Sequence, residues 1–128
     1  MKAKVTHIGI YTMDLERLKD FYVKYFDAAC NEKYENAKGF SSYFLTLDSD
    51  VRIEIMTNTN LTYHKHHDLE SGMNHLAFSV GFRDNVIQLT KQLEKDGFEV
   101  LSQPRMTGDG YFESKVVDPD GNSIEITE

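Results

Sequence analysis

The sequence predicts an α+β fold in which two βαβββ repeats form a cup-shaped mixed sheet with the helices on the outside. Segments with strand periodicity and segments with helical periodicity follow one another in the same order twice along the chain. Corresponding residues of the two halves are also separated by a nearly constant number of positions, as duplication of one supersecondary unit requires. The separations are 68, 70 and 71 residues for His7 and His75, Asp14 and Asp84, and Glu54 and Glu125.

Length and composition indicate one small domain. The chain has 128 residues, of which 40% are hydrophobic, and this is enough to bury a core. We expect a single domain over residues 1–128. Within it, the periodicity places the first unit at 4–57, a polar connection at 58–72 and the second unit at 73–128.

Charge and cysteine content restrict the partners and the compartment. Fourteen basic and twenty-one acidic residues give a formal charge of −7, which argues against nucleic acid or an anionic membrane as a partner. A small-molecule substrate is the expected partner. Cys30 is the single cysteine and cannot form an intrachain disulfide, and residues 1–7 show no apolar signal region. We therefore expect a cytoplasmic protein.

The first unit begins with a half-buried strand in which Ile8 and Ile10 alternate with His7 and Gly9. Asp14 is a candidate N-cap, and apolar residues recur at helical spacing as far as Phe26, which predicts an amphipathic helix on a sheet. Three further strands follow in the prediction, at Ala29–Glu35, Ser42–Leu47 and Val51–Thr57.

The second unit repeats this order. A strand at Met73–Val80 precedes a helix for which Asp84 is the expected cap and Gly97 the expected stop. The remaining strands are expected at Glu99–Gln103, Phe112–Val117 and Ser123–Thr127. Asp-Pro-Asp-Gly, residues 118–121, joins the last two as a tight turn, because proline presets φ and glycine tolerates the exit geometry.

Two histidines and two glutamates occupy matched places in the two units. His7 and His75 lie in the first strands, Glu54 and Glu125 lie in the last strands, and each is on the face opposite the aliphatic row. Imidazole and carboxylate groups that converge in this way are borderline ligands for a divalent ion. The pattern predicts one metal ion per site, with Ni, Zn, Co, Mn or Fe as candidates.

The same residues resemble the vicinal oxygen chelate (glyoxalase/bleomycin resistance/dioxygenase) superfamily over essentially the whole chain, and most closely its glyoxalase I branch. The motifs that carry the resemblance are the first-strand histidine, Arg52-Ile53-Glu54-Ile55, Met73-Asn74-His75-Leu76-Ala77-Phe78 and Asp118-Pro119-Asp120-Gly121-Asn122-Ser123-Ile124-Glu125. Relatives with fosfomycin-modifying or ring-cleaving activity lack the first glutamate, and methylmalonyl-CoA epimerases usually have glutamine there. Glu54 therefore favours the glyoxalase-like subset.

The resemblance implies a lactoylglutathione lyase that moves a proton through a metal-bound enediolate, usually as a homodimer with glutathione as co-substrate. It implies that Glu125 shuttles the proton and that Glu54 is its counterpart on the other side. The site of such a relative is formed within one chain or shared between two subunits, and the sequence leaves both open.

The predicted substrate-binding residues depart in part from the glyoxalase I pattern. Asn58 matches the asparagine that follows the first glutamate. Tyr11 stands where the resemblance implies an arginine, and the loop containing Thr107 and Tyr111 has no lysine. Loss of two cations weakens the expectation of a substrate with carboxylates, because charge-assisted contacts supply much of that recognition. An epimerase, a similar metalloenzyme or a small-molecule binding and resistance protein remains the alternative.

The connection contains a histidine-rich tract formed by His64, His66 and His67. Because connections between units are usually exposed, we interpret the tract as a solvated segment. A second metal site and a lid over the cup are the alternatives.

Overall fold

The computed structural model describes all residues, 1–128, and contains two compact units, Met1–His64 and Lys65–Glu128. Each unit has one helix laid on one mixed sheet. The predicted α+β fold with two units of the βαβββ type is therefore confirmed. Neither helix has the length and apolar content that crossing a bilayer requires.

The helices are α1 (Leu15–Phe26) and α2 (Arg83–Lys95). The strands of the first unit are β1 (His7–Tyr11), β2 (Ala29–Cys30), β3 (Tyr34–Glu35), β4 (Phe40–Thr46) and β5 (Arg52–Asn58). Those of the second unit are β6 (His75–Ser79), β7 (Val100–Met106), β8 (Phe112–Val117) and β9 (Ser123–Thr127).

In the first unit the sheet order is β1-β5-β4-β2, and the short strand β3 also pairs with β4. β1 and β5 are parallel, whereas the other pairs are antiparallel. The predicted strand Ala29–Glu35 is in fact two strands of two residues each, separated by residues 31–33. Between them, the Asn31 backbone N–H donates to the Phe44 carbonyl at 3.3 Å, and the Asn31 side-chain oxygen accepts a hydrogen bond from the Phe44 N–H at 2.8 Å, so a side chain replaces one of the two backbone bonds there.

The core of the first unit lies between α1 and one face of the sheet. α1 begins as predicted, because the Asp14 carboxylate accepts a hydrogen bond from the backbone N–H of Arg17 at 3.1 Å. Packing of the apolar helix face on the sheet buries large side chains from both. They are Leu15, Leu18, Phe21, Tyr22, Leu45, Ile53 and Ile55.

In the second unit the sheet order is β6-β9-β8-β7, and the β6–β9 pair is parallel. The expected cap of α2 is wrong. Phe82 occupies the N-cap position without a side-chain hydrogen bond, and Asp84 lies in the first turn. There its negative charge still interacts favourably with the helix dipole. Gly97 follows the helix with φ of +94°, as expected of a residue that ends a helix.

The turn between β8 and β9 is organised around one buried carboxylate. Asp118 is 3% exposed. Its side chain accepts hydrogen bonds from the backbone N–H groups of Asp120 and Asn122, both at 2.9 Å, and from the Asn122 side-chain amide at 2.8 Å. Gly121 has φ of +86°, which is why glycine suits this position. The turn fixes the register of β8 against β9 and therefore the position of Glu125.

Candidate metal-binding residues

The second unit brings its predicted histidine and glutamate together. Ala77 of β6 pairs with Glu125 of β9, and His75 lies two residues earlier on the same face. His75 Nε2 and Glu125 Oε2 are 3.1 Å apart, and both side chains are partly exposed. Two ligand atoms at ordinary zinc distances, with angles between 90° and tetrahedral, are about 3.0–3.4 Å apart. The spacing and chemistry of this pair therefore fit a divalent metal ion.

The first unit holds the matching pair in the same arrangement. Gly9 of β1 pairs with Glu54 of β5, and His7 lies two residues before Gly9. His7 Nε2 and Glu54 Oε2 are 4.0 Å apart. Two ligand atoms of one ion lie closer together than this, so one side chain would have to rotate before both could bind the same ion. The His7 ring also contacts Phe44 edge-on, with ring centroids 5.5 Å apart.

A small residue stands opposite the glutamate in both units. Gly9 pairs with Glu54, and Ala77 pairs with Glu125. A Cβ at position 9 would lie 2.9 Å from the Met56 Cε atom, so the side chain of Met56 already fills part of the space that glycine leaves. Small side chains at these two positions keep bulk away from the carboxylates.

Polar partners hold the outer nitrogens of the two histidines. His75 Nδ1 is 2.8 Å from the side-chain oxygen of Asn74. His7 Nδ1 is 2.9 Å from the hydroxyl of Thr6. In both cases Nε2 is the nitrogen directed at the glutamate. A polar partner on the ring nitrogen that faces away from the site is typical of metal-ligating histidines.

A second carboxyl group beside Glu125 was not predicted from the sequence. Glu113 of β8 is 9% exposed. Burial, and then the hydrogen bond and negative charge of Glu125, raise the pKa of Glu113 above its ordinary value. Lys115 pairs directly with Glu125 across the two strands and so shares its face. The alternation of β8, with Glu113 two residues before Lys115, is the sequence signal that identifies Glu113.

The whole chain matches one protein family. The sequence model of the Glyoxalase/Bleomycin resistance protein/Dioxygenase superfamily covers residues 4–126. The chain belongs to this superfamily. Members of the superfamily commonly use a divalent metal ion, which agrees with the spacing of the His75 and Glu125 pair.

The chain is similar to two sequence relatives from Bacillus subtilis and to a solved structure of glyoxalase I. The uncharacterized protein YqjT of Bacillus subtilis is 27% identical over 123 residues, which are 94% of each chain. A probable trivalent organoarsenical cleaving enzyme of Bacillus subtilis is 29% identical over 127 residues, or 96% of this chain and 78% of the relative. The structure of glyoxalase I from Leishmania major has a TM-score of 0.76 at 24% identity, covering 99% of this chain and 87% of that one. This structural likeness shows the shared fold.

Two of the predicted substrate-binding residues lie on the ligand face of the first unit. Tyr11 is four residues after His7 in β1 and is 56% exposed. Asn58 is four residues after Glu54 in β5, and its side-chain oxygen accepts a hydrogen bond from the backbone N–H of Asn60 at 2.9 Å. The period of two in a strand places both residues on the face of His7 and Glu54.

The other two predicted substrate-binding residues close the turn between β7 and β8. The Thr107 backbone N–H donates to the Tyr111 carbonyl at 2.7 Å, and the Tyr111 N–H donates to the Thr107 hydroxyl at 3.0 Å. The Thr107 hydroxyl also bonds the Asp109 carboxylate. The hydroxyl of Thr107 is therefore engaged within the turn, whereas the Tyr111 side chain is 58% exposed.

The histidine tract forms an exposed cluster in the connection. One ligand atom from each of His64, His66 and Glu70 lies within 4.8 Å of the others. The turn that carries them is held by the Glu70 N–H, which donates to the His67 carbonyl at 3.2 Å. All three clustered side chains are exposed. The interpretation as a solvated segment stays a prediction.

Proposed function

We propose that the protein is a metal-dependent lyase or isomerase of the glyoxalase I type, with lactoylglutathione lyase chemistry. The observation that supports this proposal most directly is the 3.1 Å spacing of His75 Nε2 and Glu125 Oε2, which suits two ligands of one ion. The matched pair of His7 and Glu54 in the first unit supplies the same chemistry a second time.

In the proposal, His7, Glu54, His75 and Glu125 hold one divalent ion, with Ni, Zn, Co, Mn or Fe as candidates. When bound, the ion supplies Lewis-acid stabilisation of negative charge on adjacent substrate oxygens. A proton next to a carbonyl is thereby easier to remove. The two histidines are neutral ligands, whereas the two carboxylates can also accept protons.

Glu125 is the proposed general base and Glu54 its counterpart on the other side of the substrate. Glu125 takes a proton from the carbon beside the carbonyl, and the proton is returned to the neighbouring carbon. Glu113 lies beside Glu125 as a carboxyl with a raised pKa. In its protonated form it donates a hydrogen bond, which holds Glu125 in place without adding a second negative charge.

Tyr11, Asn58, Thr107 and Tyr111 are the proposed substrate-binding residues, with glutathione as the candidate co-substrate. Tyr11 and Tyr111 offer exposed aromatic surfaces, each with a hydroxyl at its end. Thr107 contributes chiefly by holding the turn that presents Tyr111.

The test is metal analysis of the purified protein, followed by an assay with methylglyoxal and glutathione after loading with Ni²⁺ or Zn²⁺. We expect one ion per site and lactoylglutathione formation. Glu125→Gln should lower kcat by at least about 100-fold, the usual cost of losing a general base. Glu99→Gln, at an exposed glutamate outside both pairs, is the matched control. A protein that takes up no metal under any loading would refute the proposal.

A metal-assisted reaction on another oxygen-chelating substrate, such as an epimerisation, is the second candidate. It is favoured by the uncharged Tyr11 where an arginine is expected and by the engagement of the Thr107 hydroxyl within its own turn. The relative named as a probable organoarsenical cleaving enzyme indicates that the superfamily includes other chemistry. Metal binding without lactoylglutathione formation would support this second candidate.

We further propose a cytoplasmic, single-domain protein that works as a homodimer on a small molecule, without nucleic acid or membrane. Mixing two inactive variants tests whether the site is shared between subunits. One variant lacks His7 and Glu54, and the other lacks His75 and Glu125. Activity that returns after the subunits are mixed and refolded together means that each site takes one pair from each chain. Continued inactivity of verified mixed dimers means that both pairs come from one chain.

A further inference from the structure

The ligand pair of the second unit is connected to the loop before it by a chain of hydrogen bonds. We propose that Asp68 and Lys115 act through Asn74 to position His75, fixing its ring with the hydrogen on Nδ1 and with Nε2 available to the ion. This inference rests on the proposed function, because His75 is a metal ligand only there. It makes Asp68, Asn74 and Lys115 positioning residues, since none of them would touch the metal or the reacting atoms.

The orientation of the Asn74 amide is determined by its neighbours. Its nitrogen donates to the Asp68 backbone carbonyl at 3.0 Å and to the Asp68 carboxylate at 3.2 Å. The Lys115 ammonium donates to the Asn74 oxygen at 3.4 Å. The opposite orientation would place the amide hydrogens against an ammonium group and the amide oxygen against a carboxylate. Both contacts would be repulsive, so only the observed orientation satisfies every group.

Asp68 is held in the form that this network requires. The hydrogen bond from Asn74, followed by the positive charge of Lys115, keeps the pKa of Asp68 below its ordinary value. Lys115 also approaches the Asp68 carboxylate directly, at 3.5 Å. Lys115 therefore bridges the carboxylate and the amide oxygen, and the side chain that forms this bridge is only 18% exposed.

The fixed amide in turn fixes the His75 ring. The Asn74 oxygen can only accept a hydrogen bond, so the His75 Nδ1 at 2.8 Å must carry the hydrogen and donate it. Nε2 is then the nitrogen left for an ion, and it faces Glu125 at 3.1 Å, where in the absence of an ion it donates to the carboxylate when it carries a hydrogen. Residues outside the ligand set thus select the ring tautomer that a metal bound at Nε2 requires.

In the first unit a hydroxyl group, and not a fixed amide, is the partner of the histidine Nδ1. His7 Nδ1 contacts the Thr6 hydroxyl at 2.9 Å, and a hydroxyl can act as donor or acceptor. This contact does not select a tautomer, and the His7 to Glu54 distance of 4.0 Å is also longer. The second unit is therefore the half that is arranged before the ion arrives, and it should dominate the affinity for the ion.

Two measurements on the same variants test the proposal. Nitrogen-15 NMR of the metal-free protein reports directly whether Nδ1 of His75 carries a hydrogen. Competition with a chelator of known affinity gives the dissociation constant for Zn²⁺. The variants are Asn74→Leu and Asp68→Ala, and Asp50→Ala, at an exposed aspartate that contacts neither histidine, is the matched control. Circular dichroism and urea unfolding establish that each variant is folded.

We expect Nδ1 of His75 to carry a hydrogen in the wild-type protein, whether or not Nε2 also shares a hydrogen with Glu125, and to carry it in only part of the molecules of Asn74→Leu. The dissociation constant for Zn²⁺ should rise about 10–100-fold in both second-unit variants, as for other residues that orient metal ligands. Asp50→Ala should change it by less than about 3-fold, because it removes an exposed side chain that is no partner of either histidine. A wild-type His75 without a hydrogen on Nδ1, or unchanged protonation of Nδ1 in Asn74→Leu, would overturn the proposal. An unchanged Zn²⁺ affinity in both second-unit variants would also overturn it.

The two proposals fail in distinguishable ways. Absence of Zn²⁺ binding to the wild-type protein refutes the proposed function, while the tautomer measurement, which needs no metal, still tests the positioning of His75. Zn²⁺ binding with the wrong tautomer refutes only the positioning by Asn74. Asp68→Glu keeps the charge and should restore the Zn²⁺ affinity that Asp68→Ala loses, whereas general disruption of the loop would not be rescued by this change.

Discussion

Replacement of Asp118 by alanine is the clearest test of how the turn between β8 and β9 supports the second unit. The Asp118 carboxylate is 3% exposed and accepts three hydrogen bonds, two from backbone N–H groups and one from the Asn122 side chain. Asp118→Ala removes all three. The two backbone bonds between residues 118 and 121 or 122 remain, because they do not involve the side chain.

The expected loss follows from the number and kind of these bonds. A hydrogen bond to a charged group contributes about 1.5–3 kcal/mol, and a buried donor left without a partner costs about 1–3 kcal/mol. The donors belong to Asp120 and Asn122, which are only half-buried, so water can replace part of what is lost. We expect the free energy of unfolding to fall by about 2–4 kcal/mol.

Urea unfolding of the metal-free protein, followed by circular dichroism, measures this loss. Asp50→Ala, at an exposed aspartate in another turn, is the control and should change stability by less than about 0.5 kcal/mol. A loss for Asp118→Ala that is no larger than the control would show that the three bonds do not hold the turn.

Three further outcomes follow from described contacts. Because the folded-state pKa of Glu113 is raised, its favourable contribution is complete below the unfolded pKa and is lost as pH rises through the folded pKa. Urea unfolding should therefore show the stability of Glu113→Gln increasing relative to that of the wild-type protein as pH rises above the ordinary pKa of a glutamate. Thr90 and Ser114 share a buried hydrogen bond of 2.6 Å between α2 and β8. Thr90→Val leaves the Ser114 hydroxyl without this partner and should lower the free energy of unfolding by about 1–3 kcal/mol. Adding Ser114→Ala removes that hydroxyl and should recover part of the loss; no recovery in the double variant would contradict the pairing. If the histidine tract is a solvated segment, His66→Ala and His67→Ala should both leave the Zn²⁺ stoichiometry unchanged in a titration, and loss of one equivalent in His66→Ala alone would establish a second site.

Periodicity in the sequence was sufficient to predict most of the fold. β8 and β9 have the predicted bounds, because their alternation is regular and a strong turn separates them. The start of α1 was predicted correctly because aspartate favours the N-cap position and Asp14 does cap this helix. The start of α2 was not, because the N-cap position belongs to Phe82, a residue without capping chemistry. Phe82 follows Asp14 by 68 residues, the same separation as between the two histidines.

The sequence indicated that a histidine and a glutamate of each unit lie on one face, and the structure places each histidine near its glutamate; the groups around them were not predicted. His75 and Glu125 are each visible as a polar residue within an apolar alternation, and their 3.1 Å contact follows from the pairing of β6 with β9. The contact of Asp68 with Asn74 and Lys115 depends instead on the path of an irregular segment across the sheet. No periodicity encodes such a path, because it is set by tertiary contacts.

The parallel pairing of the first and last strands of each unit has a consequence for the order of folding. Glu54 follows His7 by 47 residues and Glu125 follows His75 by 50, so each pair joins the two strands of its unit that are most distant in sequence. Closing these long loops costs more chain entropy than forming the hairpins, and such contacts tend to form late. Under the proposed function, an ion held by these residues would bind only fully closed sheets. It would therefore stabilise the step of folding that is entropically most costly in each half of the chain.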